Sequence, residues 1–264
     1  MFDFHLHSRV SFDGRDTAEN MVAAAKKAGL KAICFTDHMD YDPRSVEQTL
    51  CFSMDDYRKT YDNLACADLE ICRGVEFGFL PGNQDRIRQD AMKHPYDFII
   101  GSLHFADGID VYFPEYWEGK TYEYAIAHYL DELLRSVREQ DTFDVLGHIT
   151  YLGKASANPR KEPILLKDFQ EVADEILKTV AQKGKGIEIN TSGVDKCGAF
   201  LPDAAYLRRF KELGGSIVTV GSDAHHSNRV GQYCKEACSL VSEIFGYVCT
   251  FKNRQPVFHK ARVF

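Results

Sequence analysis

Short apolar runs alternate with longer amphipathic segments along the chain. The runs are rich in β-branched and aromatic residues and are too short to form independent helices, so they predict β-strands. Seven such runs occur, at residues 2–7, 31–38, 69–77, 96–105, 143–150, 186–192 and 216–225.

Segments with helical periodicity lie between these runs. Residues that favour the start of a helix precede three of them, namely Thr17, Ser53 or Asp55, and Thr121. Apolar strands alternating with helices predict a parallel sheet covered on both faces, and seven repeats favour a closed or nearly closed α/β barrel. The helices are expected from Thr17 to Gly29, from Ser53 or Asp55 to about Ala67, and over residues 122–140, 166–183, 203–213 and 235–245.

The composition narrows the class of protein. The chain has 264 residues, of which 44% are hydrophobic and 27% charged. These are values of a globular protein and not of a collagen-like, coiled-coil or disordered chain. An α/β barrel of this length can be a single domain, which we expect to span residues 1–264. The formal charge is 32 − 39 = −7, which argues against a nucleic-acid partner.

The cysteines and the amino-terminal residues indicate in which cellular compartment the protein is expected. The eight cysteines form no Cys-x-x-Cys pair and no framework of a small secreted protein, so we expect reduced thiols. The chain begins with histidines and an aspartate where a signal peptide has a basic start and an apolar run. No stretch reaches the roughly 20 apolar residues of a membrane span. We expect a cytoplasmic protein without a membrane partner.

Histidines and carboxylates collect at the carboxyl ends of the predicted strands. His5 and His7 form a His-x-His pair whose side chains project from the same face of a strand. Glu76 lies in an apolar run, where an ionised carboxylate is costly unless it meets a cation or hydrogen-bond donors. The remaining strand-end residues are His38, His104, His148, Asp223 and His225.

Taken singly, each of these residues is as compatible with a capping or buried structural role as with a functional one. Together they place six of the ten histidines where α/β barrels build their active sites. Nitrogen and carboxylate ligands without cysteine suit Zn²⁺, Mn²⁺ or Fe²⁺, and so many ligands exceed the positions of one ion. We therefore expect more than one metal ion. Asp13, on the loop after the first strand, is either a further ligand or a turn aspartate before Gly14.

The ordered motifs resemble those of the polymerase-and-histidinol-phosphatase (PHP) family of metallophosphoesterases. DFHLHS with Asp13, TDH, Glu76, GSLHF, LGH and SDAH follow in the order of that family over roughly residues 2–250. The resemblance implies the PHP fold, a distorted (β/α)₇ TIM-like barrel. Within the family, the runs GSLHF, LGHITY, EINTSG and SDAHH are most similar to the histidinol-phosphatases of histidine biosynthesis. The implied reaction converts L-histidinol phosphate and water to L-histidinol and phosphate.

The resemblance also implies three divalent metal ions, as Zn²⁺, Mn²⁺ or Fe²⁺. The aspartate at position 13 stands where some family members have histidine, which could favour Mn²⁺ or Fe²⁺ there. Glu76, Asp223, His225 and Asp13 are expected to form the catalytic group. The implied ligand sets are His5, His7, Glu76 and Asp223 for the first ion; Glu76, His104 and His148 for the second; and Asp13, His38 and His225 for the third.

We expect a hydroxide that bridges two ions to attack phosphorus in line. The phosphate is expected to bind Arg229, Lys154 and Arg160, with Arg229 the best candidate because a guanidinium can hold phosphate through two hydrogen bonds. Arg229 is equally compatible with a role as a surface arginine on a loop. The proton for the leaving group could come from a metal-bound water or from Asp13.

The amine of histidinol phosphate calls for an acidic group at the rim of the site. Glu115 and Glu118 could supply it, together with the ring of Tyr116 or Trp117. The same loop could equally be an aromatic lid that excludes water.

Three other functions are alternatives to the histidinol-phosphatase interpretation. A PHP phosphoesterase could act on another phosphomonoester, such as a nucleotide or phosphotyrosine. A regulatory module that has lost catalysis should have an incomplete ligand set, and none of the sets is broken. A cysteine-dependent phosphatase needs a cysteine in a glycine-rich anion-binding loop, and none of the eight cysteines lies in one.

Overall fold

The computed structural model describes residues 1–45, 47 and 49–260. Its strands are β1 (Phe2–Leu6), β2 (Ala32–Phe35), β3 (His38–Met39), β4 (Glu70–Gly78), β5 (Phe98–Ser102), β6 (Phe105–Ala106), β7 (Ile109–Asp110), β8 (Val145–Leu146), β9 (Gly186–Asn190), β10 (Val218–Gly221), β11 (Tyr247–Lys252) and β12 (Gln255–Lys260). Its α-helices are α1 (Ala18–Lys27), α2 (Met54–Tyr61), α3 (Gln84–Ala91), α4 (Pro114–Trp117), α5 (Tyr122–Glu139), α6 (Gln170–Gln182), α7 (Val194–Cys197), α8 (Ala204–Glu212) and α9 (Cys234–Phe245).

Seven parallel strands form a nearly closed barrel in the order β1-β2-β4-β5-β8-β9-β10. The short strand β3 pairs with β4 beyond the end of β2. The first and last barrel strands meet through two backbone hydrogen bonds just past β10: His7 N donates to Ala224 O at 3.0 Å, and Asp223 N donates to His5 O at 2.8 Å. The predicted α/β barrel with seven strand-and-helix units is confirmed.

The predicted helix starts at Thr17, Ser53 and Thr121 are confirmed, because each side chain accepts a backbone N–H from three residues further along. Two predicted bounds were wrong. Helix α2 ends at Tyr61, six residues before Ala67, because two weak helix formers, Asp62 and Asn63, follow directly. The segment predicted as one helix over 166–183 begins with a separate 3₁₀ turn, and its α-helix is α6. No helix in the described ranges is long and apolar enough to cross a membrane.

The hairpin of β11 and β12 closes the amino-terminal end of the barrel. Its turn residues Asn253 and Arg254 adopt positive φ angles of 48° and 64°. The backbone N–H of Asn253 donates to Asp97 Oδ1 at 3.1 Å, and Arg254 Nε donates to Asp144 Oδ2 at 2.5 Å. Asp97 and Asp144 lie just before β5 and β8, so the turn binds the starts of two barrel strands. The side chains expected to bind metal lie at the opposite end of the barrel, at the carboxyl ends of the strands, where the loops are longer.

Gly221, the last residue of β10, lies where the barrel is too tightly packed for a larger side chain. A Cβ atom at this position would lie 2.3 Å from His5 Cβ and 2.5 Å from Glu188 Oε1. Both neighbours are buried, so they can move only at a cost in packing. We expect Gly221→Ala to lower the free energy of unfolding by about 1–3 kcal/mol in urea titrations. The exposed Ser239→Ala control should change it by less than about 0.5 kcal/mol. An unchanged Gly221→Ala protein would contradict this packing.

Candidate functional site

Glu76 lies at the centre of the site, near the end of β4, and is fully buried. The Ser102 hydroxyl donates to Glu76 Oε1 at 2.6 Å. Burial alone would raise the pKa of Glu76, but the surrounding imidazoles lower it well below its usual value, so this carboxylate is ionised. Imidazole nitrogens of five histidines lie within 3.6 Å of its two oxygens: His5, His7, His38, His104 and His148.

Asp223 and His225 extend this cluster from the segment after β10. Asp223 Oδ1 lies 3.3 Å from His7 Nε2 and 3.7 Å from His5 Nε2. The backbone of Asp223 has a φ of 56°, a left-handed conformation that aspartate tolerates better than most residues. His225 Nε2 lies 3.0 Å from Asp13 Oδ2. The structure thus brings all nine residues predicted as metal ligands into one cluster.

His38 lies between two parts of the cluster. Its Nδ1 is 3.1 Å from Glu76 Oε2, and its Nε2 is 3.8 Å from Asp13 Oδ2. The His7 ring stacks on the rings of both His38 and His225, with centroid separations of 4.3 Å and 4.1 Å. The ligand nitrogens of these three histidines lie within 4.8 Å of one another. They are close enough to share one ion.

The donor atoms fit divalent metal ions better than they fit each other. His7 Nε2 and Asp13 Oδ1 are buried and lack a partner with hydrogen-bond geometry. Such atoms cost free energy unless something pairs with them. Burial, together with the charges on His225 and His38, lowers the pKa of His7 well below its usual value, so the ring is neutral and can offer a lone pair. A set of imidazole and carboxylate donors without sulfur suits Zn²⁺, Mn²⁺ or Fe²⁺.

Two buried acids, which the sequence reasoning missed, orient His5 and His104. Glu188 Oε1 lies 2.6 Å from His5 Nδ1, and Asp40 Oδ1 lies 2.9 Å from His104 Nδ1. A carboxylate at Nδ1 holds the proton there and leaves the Nε2 lone pair free for a metal ion. Glu188 sits between two isoleucines of β9. An acid inside an apolar strand is the same signal that identified Glu76, and it could have found Glu188.

Ser11 plays the corresponding role for His7. Its hydroxyl oxygen lies 3.1 Å from His7 Nδ1 and accepts the His38 backbone N–H at 2.9 Å. The Ser11 backbone N–H donates to Oδ1 of the buried Asp37 carboxylate at 3.1 Å. A hydroxyl oxygen can accept a hydrogen bond from the N–H of His7 Nδ1, which leaves the lone pair of His7 Nε2 free.

Asp37 is itself held in place on the other side. Its Oδ2 accepts a hydrogen bond of 2.5 Å from the Tyr61 hydroxyl, and its Oδ1 accepts the Ser8 backbone N–H at 2.9 Å. The Tyr61 hydroxyl in turn lies 2.6 Å from Ser8 Oγ. Asp37 therefore fixes the loop that carries Ser11 toward the cluster.

The cluster forms the floor of a cavity of about 580 Å³ at the carboxyl end of the barrel. Lys154 and Arg229, two of the predicted phosphate ligands, line it, as do Arg15 and Lys196, which the sequence reasoning missed. The Lys154 ammonium contacts the Asp223 carboxylate and donates to Ser192 Oγ at 2.9 Å. Arg229 donates to Asp195 Oδ2 at 2.7 Å, which positions its guanidinium at the rim.

Arg160 does not reach this cavity. Its guanidinium pairs with Glu123 and lies 4.0 Å from the centroid of the Tyr122 ring on the outer surface. Both contacts hold the Arg160 guanidinium away from the cavity, so Arg160 is not part of the site.

The acidic and aromatic residues predicted at the rim of the site do not lie there. Glu115, Glu118 and Trp117 do not line the cavity, and Tyr116 is completely buried, with its hydroxyl donating to Ala125 O at 2.7 Å. The amphipathic turn α4 packs its tyrosine inward and turns its acids to solvent. The part of the same loop that lines the cavity comes earlier, at Phe105, Asp110, Tyr112 and Phe113.

Comparisons with known proteins agree with this geometry. The family model of the PHP domain matches residues 3–192. The chain is 28% identical to a probable histidinol-phosphatase of Clostridium acetobutylicum, covering 100% of this chain and 98% of that protein. It is 30% identical to the histidinol-phosphatase of Lactococcus lactis, covering 95% and 94%. The crystal structure of histidinol phosphate phosphatase from Lactococcus lactis, complexed with zinc, L-histidinol and phosphate, has a TM-score of 0.80 at 27% identity and covers 97% and 98% of the two chains.

The role of Ser11 can be measured through metal binding. We expect Ser11→Ala to weaken the tightest metal binding by about 10- to 100-fold, because His7 loses the group that fixes its proton on Nδ1. A competition titration against a chromophoric chelator would measure this. Ser11→Thr, which keeps a hydroxyl, should retain most of the affinity. Equal affinities of the wild type and Ser11→Ala would contradict the assignment.

Proposed function

This chain belongs to the PHP domain family, and from that premise we propose that it is a metal-dependent histidinol-phosphatase. The proposed reaction is the hydrolysis of L-histidinol phosphate to L-histidinol and phosphate. The observation that carries the proposal is the buried cluster around Glu76, which forms the floor of a cavity with basic side chains at its wall. We also propose a cytoplasmic location, because the eight cysteines are free thiols.

We assign three metal ions to the cluster. When bound, such ions lower the pKa of a bound water and neutralise charge on the phosphoryl oxygens. The orientation of the histidines by Glu188, Ser11 and Asp40 supports the assignment. The proposed sets are His5, His7, Glu76 and Asp223; Glu76, His104 and His148; and Asp13, His38 and His225.

Basic side chains are proposed to hold the phosphate above the cluster. Lys154 stands nearest, because its ammonium already contacts Asp223. Arg229 offers a planar guanidinium whose position Asp195 fixes. A dianionic phosphate pairs with such groups more strongly here than in bulk water, because the cavity floor is buried.

Asp13 serves as a ligand in this proposal and not as the proton donor. Burial would raise its pKa, but the hydrogen bond from His225 and the charge on His38 lower it well below its usual value. An ionised carboxylate has no proton to give to the leaving alcohol at neutral pH.

Substrate selectivity tests the proposed function. We expect kcat/KM for L-histidinol phosphate to exceed that for 4-nitrophenyl phosphate, a nucleoside monophosphate and phosphotyrosine by at least about 10-fold, which corresponds to one good charged contact. Steady-state phosphate release at equal metal concentration would measure it. A profile without preference for L-histidinol phosphate would favour another PHP phosphoesterase. As an independent check, expression of this protein should restore growth without added histidine to a strain that lacks its own histidinol-phosphatase.

The metal dependence is tested by His104→Ala. This variant should lose more than about 100-fold in kcat, because it removes one proposed ligand and the imidazole that pairs with Asp40 Oδ1. Elemental analysis of protein purified without chelator should find fewer metal equivalents in the variant than in the wild type. Cys197→Ala, a buried thiol outside the cavity lining, should keep wild-type turnover and metal content. Full activity of His104→Ala would contradict the ligand set.

A further inference from the structure

The cavity carries opposite charges on different sides of the barrel mouth. Its basic residues lie on the segments that follow β1, β8, β9 and β10, and they are Arg15, Lys154, Lys196 and Arg229. These strands are neighbours around the barrel, since β10 meets β1 at the closing seam. Asp110 lies outside this arc, on the hairpin of β6 and β7 that follows β5. A ligand with an anionic and a cationic end matches this separation.

Asp110 is held firmly next to the metal cluster. Its strand β7 pairs with β6 through Phe105, which directly follows His104. The backbone N–H of Val111 donates to His104 O at 3.0 Å. The carboxylate therefore has a fixed position at the wall of the cavity, close to the floor.

The carboxylate of Asp110 has no cationic partner. Throughout the described ranges, no lysine, arginine or histidine nitrogen lies within 4.0 Å of it. Its Oδ1 accepts the Tyr112 backbone N–H at 2.9 Å. Burial raises the pKa of Asp110 by more than the Tyr112 hydrogen bond and the more distant charges of His104 and Arg44 lower it. The other acids that line the cavity, Asp13, Asp40 and Asp223, each contact histidines of the cluster.

Aromatic side chains also line the mouth of the cavity. Phe12 and Phe113 both line the cavity and are each 51% exposed, which is unusual for phenylalanine. Flat apolar surfaces of this kind can pack on the ring of a ligand. The proposed substrate joins a phosphate, an ammonium and an imidazole ring. The cavity offers basic side chains for the phosphate, Asp110 for the ammonium and aromatic rings for the imidazole.

We propose that Asp110 binds the ammonium group of the substrate and thereby selects phosphomonoesters with a cationic alcohol part. This inference rests on the proposed function. In it, Asp110 contacts the substrate and sets specificity, while the hydrolysis itself depends on the cluster around Glu76. Pairing with the ammonium would give the carboxylate the opposite charge that the protein does not provide.

Asp110→Asn tests this role selectively. Asparagine removes the charge but keeps an oxygen that can accept the Tyr112 N–H, so the turn is preserved. We expect kcat/KM for L-histidinol phosphate to fall by about 10- to 100-fold, mainly through KM. For 3-(imidazol-4-yl)propyl phosphate, which lacks only the amine, it should change by less than about 2-fold. In the wild type, loss of the amine from the substrate should cost a similar factor, so that the two changes are not additive.

Asp107→Asn is the matched control. Asp107 lies on the turn of the same hairpin with a φ of 53°, which asparagine also tolerates, and it pairs with His128 outside the cavity. It should leave both substrates unaffected. Metal content, measured by elemental analysis, should be the same in both variants and the wild type.

The two hypotheses fail in different ways. If the wild type hydrolyses L-histidinol phosphate no better than 4-nitrophenyl phosphate, the proposed function is contradicted. If the wild type prefers L-histidinol phosphate but Asp110→Asn keeps that preference, only the role of Asp110 is contradicted. Equal losses on the substrate with the amine and the one without it, or a loss of metal, would mean that Asp110 acts on the turn or the cluster, which also overturns the inference.

Discussion

An ionised carboxylate without access to water is costly unless cations or hydrogen-bond donors surround it, and Glu76 is fully buried. Five imidazoles and the Ser102 hydroxyl satisfy this requirement. They come from the ends of four strands, β1, β3, β5 and β8, so these strands must align in one register for the charge to be tolerated. The same requirement makes the site receptive to divalent ions, because the histidines alone leave buried donors such as His7 Nε2 without partners.

Eight of the nine proposed ligands could be predicted from the sequence because they lie in or at the ends of apolar runs, whereas Asp13 lies on the loop after the first run. A short strand that ends in histidine or aspartate directs that group toward the carboxyl edge of a parallel sheet. The groups that orient the histidines were not predicted. His5 and Glu188 are 183 positions apart, and only the pairing of distant strands brings them to 2.6 Å. Their meeting depends on the closed barrel and not on any local pattern.

The seven barrel strands were likewise predictable, since buried parallel strands are continuously apolar. The β11–β12 hairpin was missed because its outer strand is largely exposed and carries no apolar stripe. The side chains at the cavity rim show the same limit. Arg160 and Glu115 lie on loops after the correct strands, yet local packing turns both away from the cavity, while Asp110 on one of these loops faces it. Loop position in the chain identifies the correct end of the barrel but not the direction of a side chain.

The seam between β1 and the end of β10 joins residues that are far apart in sequence. Asp3 shows this best: it accepts hydrogen bonds from Ser222 N and Oγ, 219 positions away, and so anchors the loop after β10. Bringing such distant segments together costs more chain entropy than pairing neighbouring strands. The seam should therefore close late in folding. Since His5, His7 and Asp223 flank it, a chain that has folded every other strand would still lack a complete metal site, and catalysis would report the final step of assembly.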